Sequence, residues 1–201
     1  MNNKIQIYLA GSMFCEADRM YNALLARKIR ERVGDYIDLY VPQENLSIND
    51  KTKCASSHDI FWGDYNRLQN TDIFIARIDG DIPPSGTSAE IGIMSQRRQQ
   101  WYKEFLEHQI PFSPETWNQS DLRTELLRHK PMIIGLCTDS RNPKRTYLEA
   151  KNELMKNEDY ESQYCYFNLF TLGCIKVNGK LTTSIDELVD ELEVEVNERT
   201  K

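Results

Sequence analysis

No stretch of this sequence is apolar for long enough to cross a bilayer, which excludes a transmembrane helix at the outset. Excess positive charge is missing too. The 25 Lys and Arg stand against 31 Asp and Glu, for a formal charge of −6. With no basic balance there is no footprint for a nucleic-acid polymer. Cysteines are few and unpatterned. They stand at 15, 54, 137, 165 and 174, odd in number, with no Cys-x-x-Cys pair and no zinc spacing. They read as reduced thiols of a cytoplasmic protein, and the sequence offers no metal site. Repeats and low-complexity tracts are absent. Met1-Asn2-Asn3-Lys4 runs straight into an apolar strand with no secretory leader between.

What is present is an alternation of strands and helices. Residues 4–10, 36–42, 72–78 and 131–137 read as strands. Between them, Tyr21, Leu24, Leu25, Ile29 and Val33 recur at helical spacing, and Gly34 stands where a C-terminal cap belongs. Residues 43–57 read as a polar loop, and 58–68 as a helix. A further helix runs to about Gln99. Residues 100–129 have no clean period and carry Trp101 and Trp117, which read as core or interface residues. Residues 146–157 look helical. Residues 163–177 mix aromatic and β-branched residues and end at a turn pair, Asn178-Gly179. Ser184-Ile185-Asp186-Glu187 is a capping box, followed by a stripe of Leu188, Val189 and Leu192. Alternation of this kind predicts an α/β fold. The expected architecture is a single-domain, doubly wound parallel sheet over residues 1–201, flavodoxin-like or Rossmann-like, with about five strands flanked by helices. Insertions are expected near 100–129 and 139–162.

The most informative segment is Ser85 through Gly92. It follows the apolar run 72–78 and the turn pair Asp79-Gly80, and it precedes a helix. Ligands of open α/β sheets bind where strands end and helices begin. Glu90 is expected in the first helical turn, where the helix dipole favours a carboxylate. An ionised glutamate beside a sugar is how covalent glycosyl transfer starts. Ser57-His58-Asp59 imitates a hydrolase triad in composition only, because triad members converge from distant segments.

Four pieces, in order, resemble the nucleoside 2-deoxyribosyltransferase family. They are Ile7 to Phe14, Asp64-Tyr65-Asn66-Arg67-Leu68 with Asn70-Thr71-Asp72, Asp79-Gly80 through Gly86 to Gly92, and Asn168 to Gly173. The resemblance implies double displacement through a covalent deoxyribosyl-glutamate. Glu90 would be the nucleophile, Tyr8 would orient it, and Asp64 would serve the leaving base. Substrate would meet Gly11, Asp81, Ser85, Gly86 and Thr87. Asn168 would reach a neighbouring subunit's site in a homo-oligomer. The implied ligands are a nucleoside or nucleotide and a free nucleobase, in nucleotide salvage, with no cofactor, no membrane and no nucleic-acid polymer.

One position departs from the family pattern. Six residues before Glu90, where the transferases carry a second base-contacting aspartate, this chain has Pro84. Proline offers neither a side-chain acceptor nor an N–H. Phosphate-preferring relatives, which hydrolyse N-glycosidic bonds, use a small polar residue thereabouts. Ser85, Thr87 and Ser88 could serve a phosphate or the sugar's 5′ end. Nucleoside or nucleotide N-glycosidase activity, or silent nucleotide binding, therefore stands beside transfer.

Overall fold

The computed structural model describes residues 4–46, 55–80, 83–107, 126–139 and 168–200. Five strands form one all-parallel sheet in the order β2-β1-β3-β4-β5. They are β1 (Ile5–Ala10), β2 (Ile37–Tyr40), β3 (Ile73–Arg77), β4 (Met132–Leu136) and β5 (Gly179–Thr182). The helices are α1 (Glu16–Val33), α2 (Ser57–Gln69), α3 (Ser85–Glu107), α4 (Leu169–Asn178) and α5 (Ile185–Thr200). This is a doubly wound α/β fold in the flavodoxin-like strand order.

Strand periodicity decides which helix covers which face. Ile5, Ile7 and Leu9 of β1, with Ile73 and Ile75 of β3, pack against Leu25 and Ile29 of α1 and Leu188 and Leu192 of α5. The alternate residues Tyr8, Ala10, Phe74 and Ala76 face Leu68 of α2, Ile91 and Met94 of α3, and Leu172 and Ile175 of α4. Both β3 and β4 are buried along their whole length, as a parallel sheet covered on two sides requires.

Local signals place most helix ends. Ser56 caps α2 in a complete capping box with Asp59. Asp59 is therefore engaged by Ser56, while His58 Nε2 accepts from Trp62 Nε1 at 3.0 Å, so no triad exists there. Ser184 Oγ accepts from the Glu187 N–H at 3.1 Å and caps α5. The Glu187 carboxylate accepts from the Thr183 N–H at 2.6 Å.

Three expectations are corrected. Helix α3 begins at Ser85, so Ser85, Gly86 and Thr87 form its first turn and Glu90 stands in the second. Pro84 supplies the carbonyl for the first helical bond, from the Ser88 N–H at 2.9 Å, and proline before a helix starts it early. The same helix runs on to Glu107, past Gln99. Trp101 explains the extension: it is buried, stacks on Phe105, and donates from Nε1 to the Leu126 carbonyl at 2.8 Å. Finally, Asn178-Gly179 is no free turn. Asn178 closes α4 and Gly179 opens β5 directly. The helix expected at 146–157, Trp117 and Asp81 lie outside the described residues. None of the described helices is long and apolar enough to cross a membrane.

Candidate functional site

In this order the strands are added outward in opposite directions from β1 and β3, and the crevice beyond their carboxyl ends is where such folds take ligands. Register then chooses the residues. Tyr8 of β1 pairs with Phe74 of β3 on one side and with Tyr40 of β2 on the other. The three rings share one face, with Tyr8 centred 5.0 Å from Tyr40 and 5.5 Å from Phe74. Asp64 of α2 and Glu90 of α3 come down onto that face.

The Tyr8 hydroxyl donates to Glu90 Oε1 at 2.6 Å, across 82 residues of sequence. Tyr8 is fully buried. Burial, and next the charges of Glu90 and Asp64, push its phenol far above the ordinary tyrosine range, so it stays a donor at any working pH. Burial also raises the Glu90 carboxyl to about 7; the Tyr8 hydrogen bond opposes this and the Asp64 charge adds to it. Asp64 is raised by burial too, and the hydroxyls of Tyr8 and Tyr40 both pull it back. Tyr40 Oη donates to Asp64 Oδ1 at 3.3 Å. Two carboxyls and two tyrosine hydroxyls thus make one coupled group.

The loop after β1 forms the adjoining wall. Arg77, the buried last residue of β3, donates from Nη2 to the Ser12 carbonyl at 2.6 Å and to Asp18 Oδ1 at 2.7 Å. Asp18 also accepts from Ser12 Oγ at 2.7 Å and Cys15 Sγ at 3.0 Å, and these bonds with Arg77 hold its carboxyl well below the usual range. Gly11 matters here for space. A Cβ on it would stand 3.0 Å from Arg77 Cβ and 3.1 Å from Nε. Beyond β3, Asp79 receives the Thr138 N–H and, at 3.1 Å, the Thr138 hydroxyl, tying the ends of β3 and β4 together. Gly80 follows with φ 110°, a turn that a side chain would strain.

The structure therefore brings Tyr8, Asp64 and Glu90 together. Thr87 is buried in the first turn of α3, and Ser85 and Gly86 are exposed beside it. Asn168 is exposed and caps α4, accepting from the Phe170 and Thr171 N–H groups at 3.0 and 3.2 Å. Sequence reasoning missed Tyr40, Arg77 and Asp18. Tyr40 ends an alternating strand, in register with Tyr8, and that parity was its only signal. Among the described residues no three His, Cys, Asp or Glu side chains converge as metal ligands.

Comparison with known proteins bears on the family and the fold. Residues 7–104 match the family model described as nucleoside 2-deoxyribosyltransferase. That span holds Tyr8, Asp64 and Glu90, and it stops short of Asn168. A solved structure of a conserved protein from Enterococcus faecalis V583 is 30% identical, covers 98% of this chain and 99% of its own, and superposes with a TM-score of 0.66. An uncharacterized protein of Ureaplasma parvum serovar 3 is 39% identical over 101 residues. The match takes in 46% of this chain and 60% of that protein, less than two thirds of the relative's length.

Proposed function

Residues 7–104 belong to the nucleoside 2-deoxyribosyltransferase family, and from that membership and the geometry above we propose that this chain transfers 2-deoxyribose between nucleobases. The observation that carries the reading is the Tyr8–Glu90 hydrogen bond of 2.6 Å, with Asp64 on the same group. Glu90 attacks the anomeric carbon, and the bond to the base nitrogen breaks. The electron pair goes to the base, which takes a proton from Asp64. A second base then attacks the anomeric carbon on the face the first one left, the ester bond to Glu90 breaks to free its carboxylate, and the incoming base's N–H proton passes to Asp64, so configuration is retained. Tyr8 orients the Glu90 carboxylate and supports its charge. The reaction needs one carboxyl ionised and one able to donate.

Small-molecule nucleosides or nucleotides and free bases are the proposed ligands. Asn168, exposed at the start of α4, is the proposed contribution to a neighbouring subunit's site in a homo-oligomer. Pro84 supports a second reading. With α3 starting at Ser85, the N–H groups of its first turn have no partner within the helix, and such a helix start suits a phosphate. Hydrolysis of a nucleotide's N-glycosidic bond would follow from that.

A chromatographic product assay separates the two. The protein is incubated with 2′-deoxynucleosides and their monophosphates, with and without a second base, alongside Glu90→Ala. A new deoxynucleoside that needs the acceptor, and is lost in Glu90→Ala, is the expected result. Base release from the monophosphates alone, without acceptor, defeats transfer and favours hydrolysis.

The pH profile is a further check. The nucleophile must be ionised, so kcat/KM rises with pH through a midpoint near 7, where Glu90 titrates. Removing the donor in Tyr8→Phe destabilises the carboxylate and moves that limb to higher pH. A limb that stays put would show that Tyr8 does not act on Glu90.

A further inference from the structure

We propose that Tyr40 is a positioning residue for Asp64, holding its carboxyl in place to protonate the departing base through a hydrogen-bonded line that runs Asn45–Tyr40–Asp64. This inference rests on the transfer reading.

The line has a direction. Asn45 Nδ2 is a donor only, and it donates to Tyr40 Oη at 3.0 Å. That bond occupies the acceptor side of the phenol, so its one proton is left for Asp64 Oδ1, 3.3 Å away. Asn45 is itself set by the short 3-10 turn Pro42–Glu44, through its N–H to the Pro42 carbonyl at 3.0 Å. The Tyr40 ring is held from two sides. Tyr8 lies 5.0 Å from it, and the Arg67 guanidinium sits over its face at 4.9 Å. Arg67 is pinned in turn by Asp38, 3.6 Å away. A phenol so fixed is a rigid anchor for a carboxyl that must meet a base at one angle.

The groups facing Asp64 are Tyr8 from β1, Tyr40 from β2 and Glu90 from α3, while Arg67 of its own helix reaches it only through the Tyr40 ring. Tyr8 already serves Glu90. Tyr8 thus serves both carboxyls, and Tyr40 gives Asp64 a second hydroxyl of its own. Burial keeps the phenol protonated, because it pushes Tyr40 above the ordinary tyrosine value.

Two donors test this. An ordinary 2′-deoxynucleoside needs its base protonated as the bond breaks. 7-Methyl-2′-deoxyguanosine carries a base that is already cationic and leaves without help. Tyr40→Phe keeps the ring and removes only the hydroxyl; Asn45→Ala removes the upstream donor. With the ordinary donor, Tyr40→Phe is expected to lower kcat by about 10-fold, a fraction of what full general-acid catalysis contributes. Asn45→Ala lowers it less. Loss of the Asp64 proton gives the profile a falling limb at high pH, and that limb moves upward in Tyr40→Phe, because Asp64 loses a bond that favours its charged form. With the methylated donor both variants stay within about twofold of the wild type, since no proton is asked of Asp64. Equal losses on the two donors, or no loss on the ordinary one, overturn the role of Tyr40 while leaving transfer standing. A wild type that transfers from neither donor defeats the transfer reading itself, and the proposal with it.

Discussion

Glu90→Gln is expected to abolish the proposed transfer and at the same time to make the protein more stable at pH 8. Both effects follow from one buried carboxyl. An amide of the same shape still accepts from Tyr8 but cannot form a glycosyl ester, and loss of a nucleophile costs on the order of 10^4-fold or more in kcat. On the stability side, the folded protein holds Glu90 near 7, against an ordinary value of 4.5. A folded value above the unfolded one means that the stabilising form is the protonated one. Its contribution is complete below about pH 4.5 and is lost as pH rises through 7. One pKa unit is worth about 1.4 kcal/mol, so the wild type gives up about 3 kcal/mol over that window and Glu90→Gln does not. Urea unfolding of both proteins at pH 5 and pH 8 reads this directly. The expected result is a gap in favour of the variant at pH 8 that closes toward pH 5. Parallel stabilities at both pH values would show that Glu90 is solvated, and a solvated Glu90 would lose its claim to the site as well.

The same site shows what a sequence discloses and what it withholds. Sheet and helices were legible because burial on both faces writes apolar runs into β1, β3 and β4, and because Ser56 and Ser184 mark helix starts chemically. Glu90, Asp64 and Tyr8 were legible as types at motif spacing. Their meeting was expected only through the family resemblance, since from the residues alone it depends on strand order. Nothing in residues 5–10 and 73–77 says that β1 and β3 are neighbours, with β2 on the outside. Tyr40 was hidden for the same reason: its partner Tyr8 is 32 positions away and is chosen by register. The early start of α3 was obscured by glycine and serine at 85–88, poor helix formers that tertiary packing overrides. Thr87, buried in the first turn, is part of that packing.

Arg77 was the deepest omission, because an arginine in an apolar run reads as an interruption. Its loss is the second large effect expected. Arg77→Met retains the aliphatic length but leaves Asp18, only partly exposed, without its cation, and leaves the Ser12 carbonyl without its donor. Breaking one partner of a buried pair costs about 3–5 kcal/mol, and the exposure of Asp18 moves the expectation to the lower end, about 3 kcal/mol. The pH dependence identifies the cause. Asp18 is held below its ordinary value, so its stabilisation is present above the unfolded value of about 3.9 and fades as pH falls below it. The wild type and Arg77→Met therefore differ most near neutrality and converge in acid. In the double variant Asp18→Asn/Arg77→Met no unpaired charge remains, and part of the loss returns; that coupling is what a double-mutant cycle measures. A difference that persists undiminished at low pH would assign Arg77 to packing alone. Function follows from the same wiring. Arg77 fixes the loop that begins at Gly11, and that loop leads out of the strand carrying Tyr8. Arg77→Met is expected to raise KM more than it lowers kcat, since the loop shapes the binding wall while Glu90, Tyr8 and Asp64 keep their own bonds.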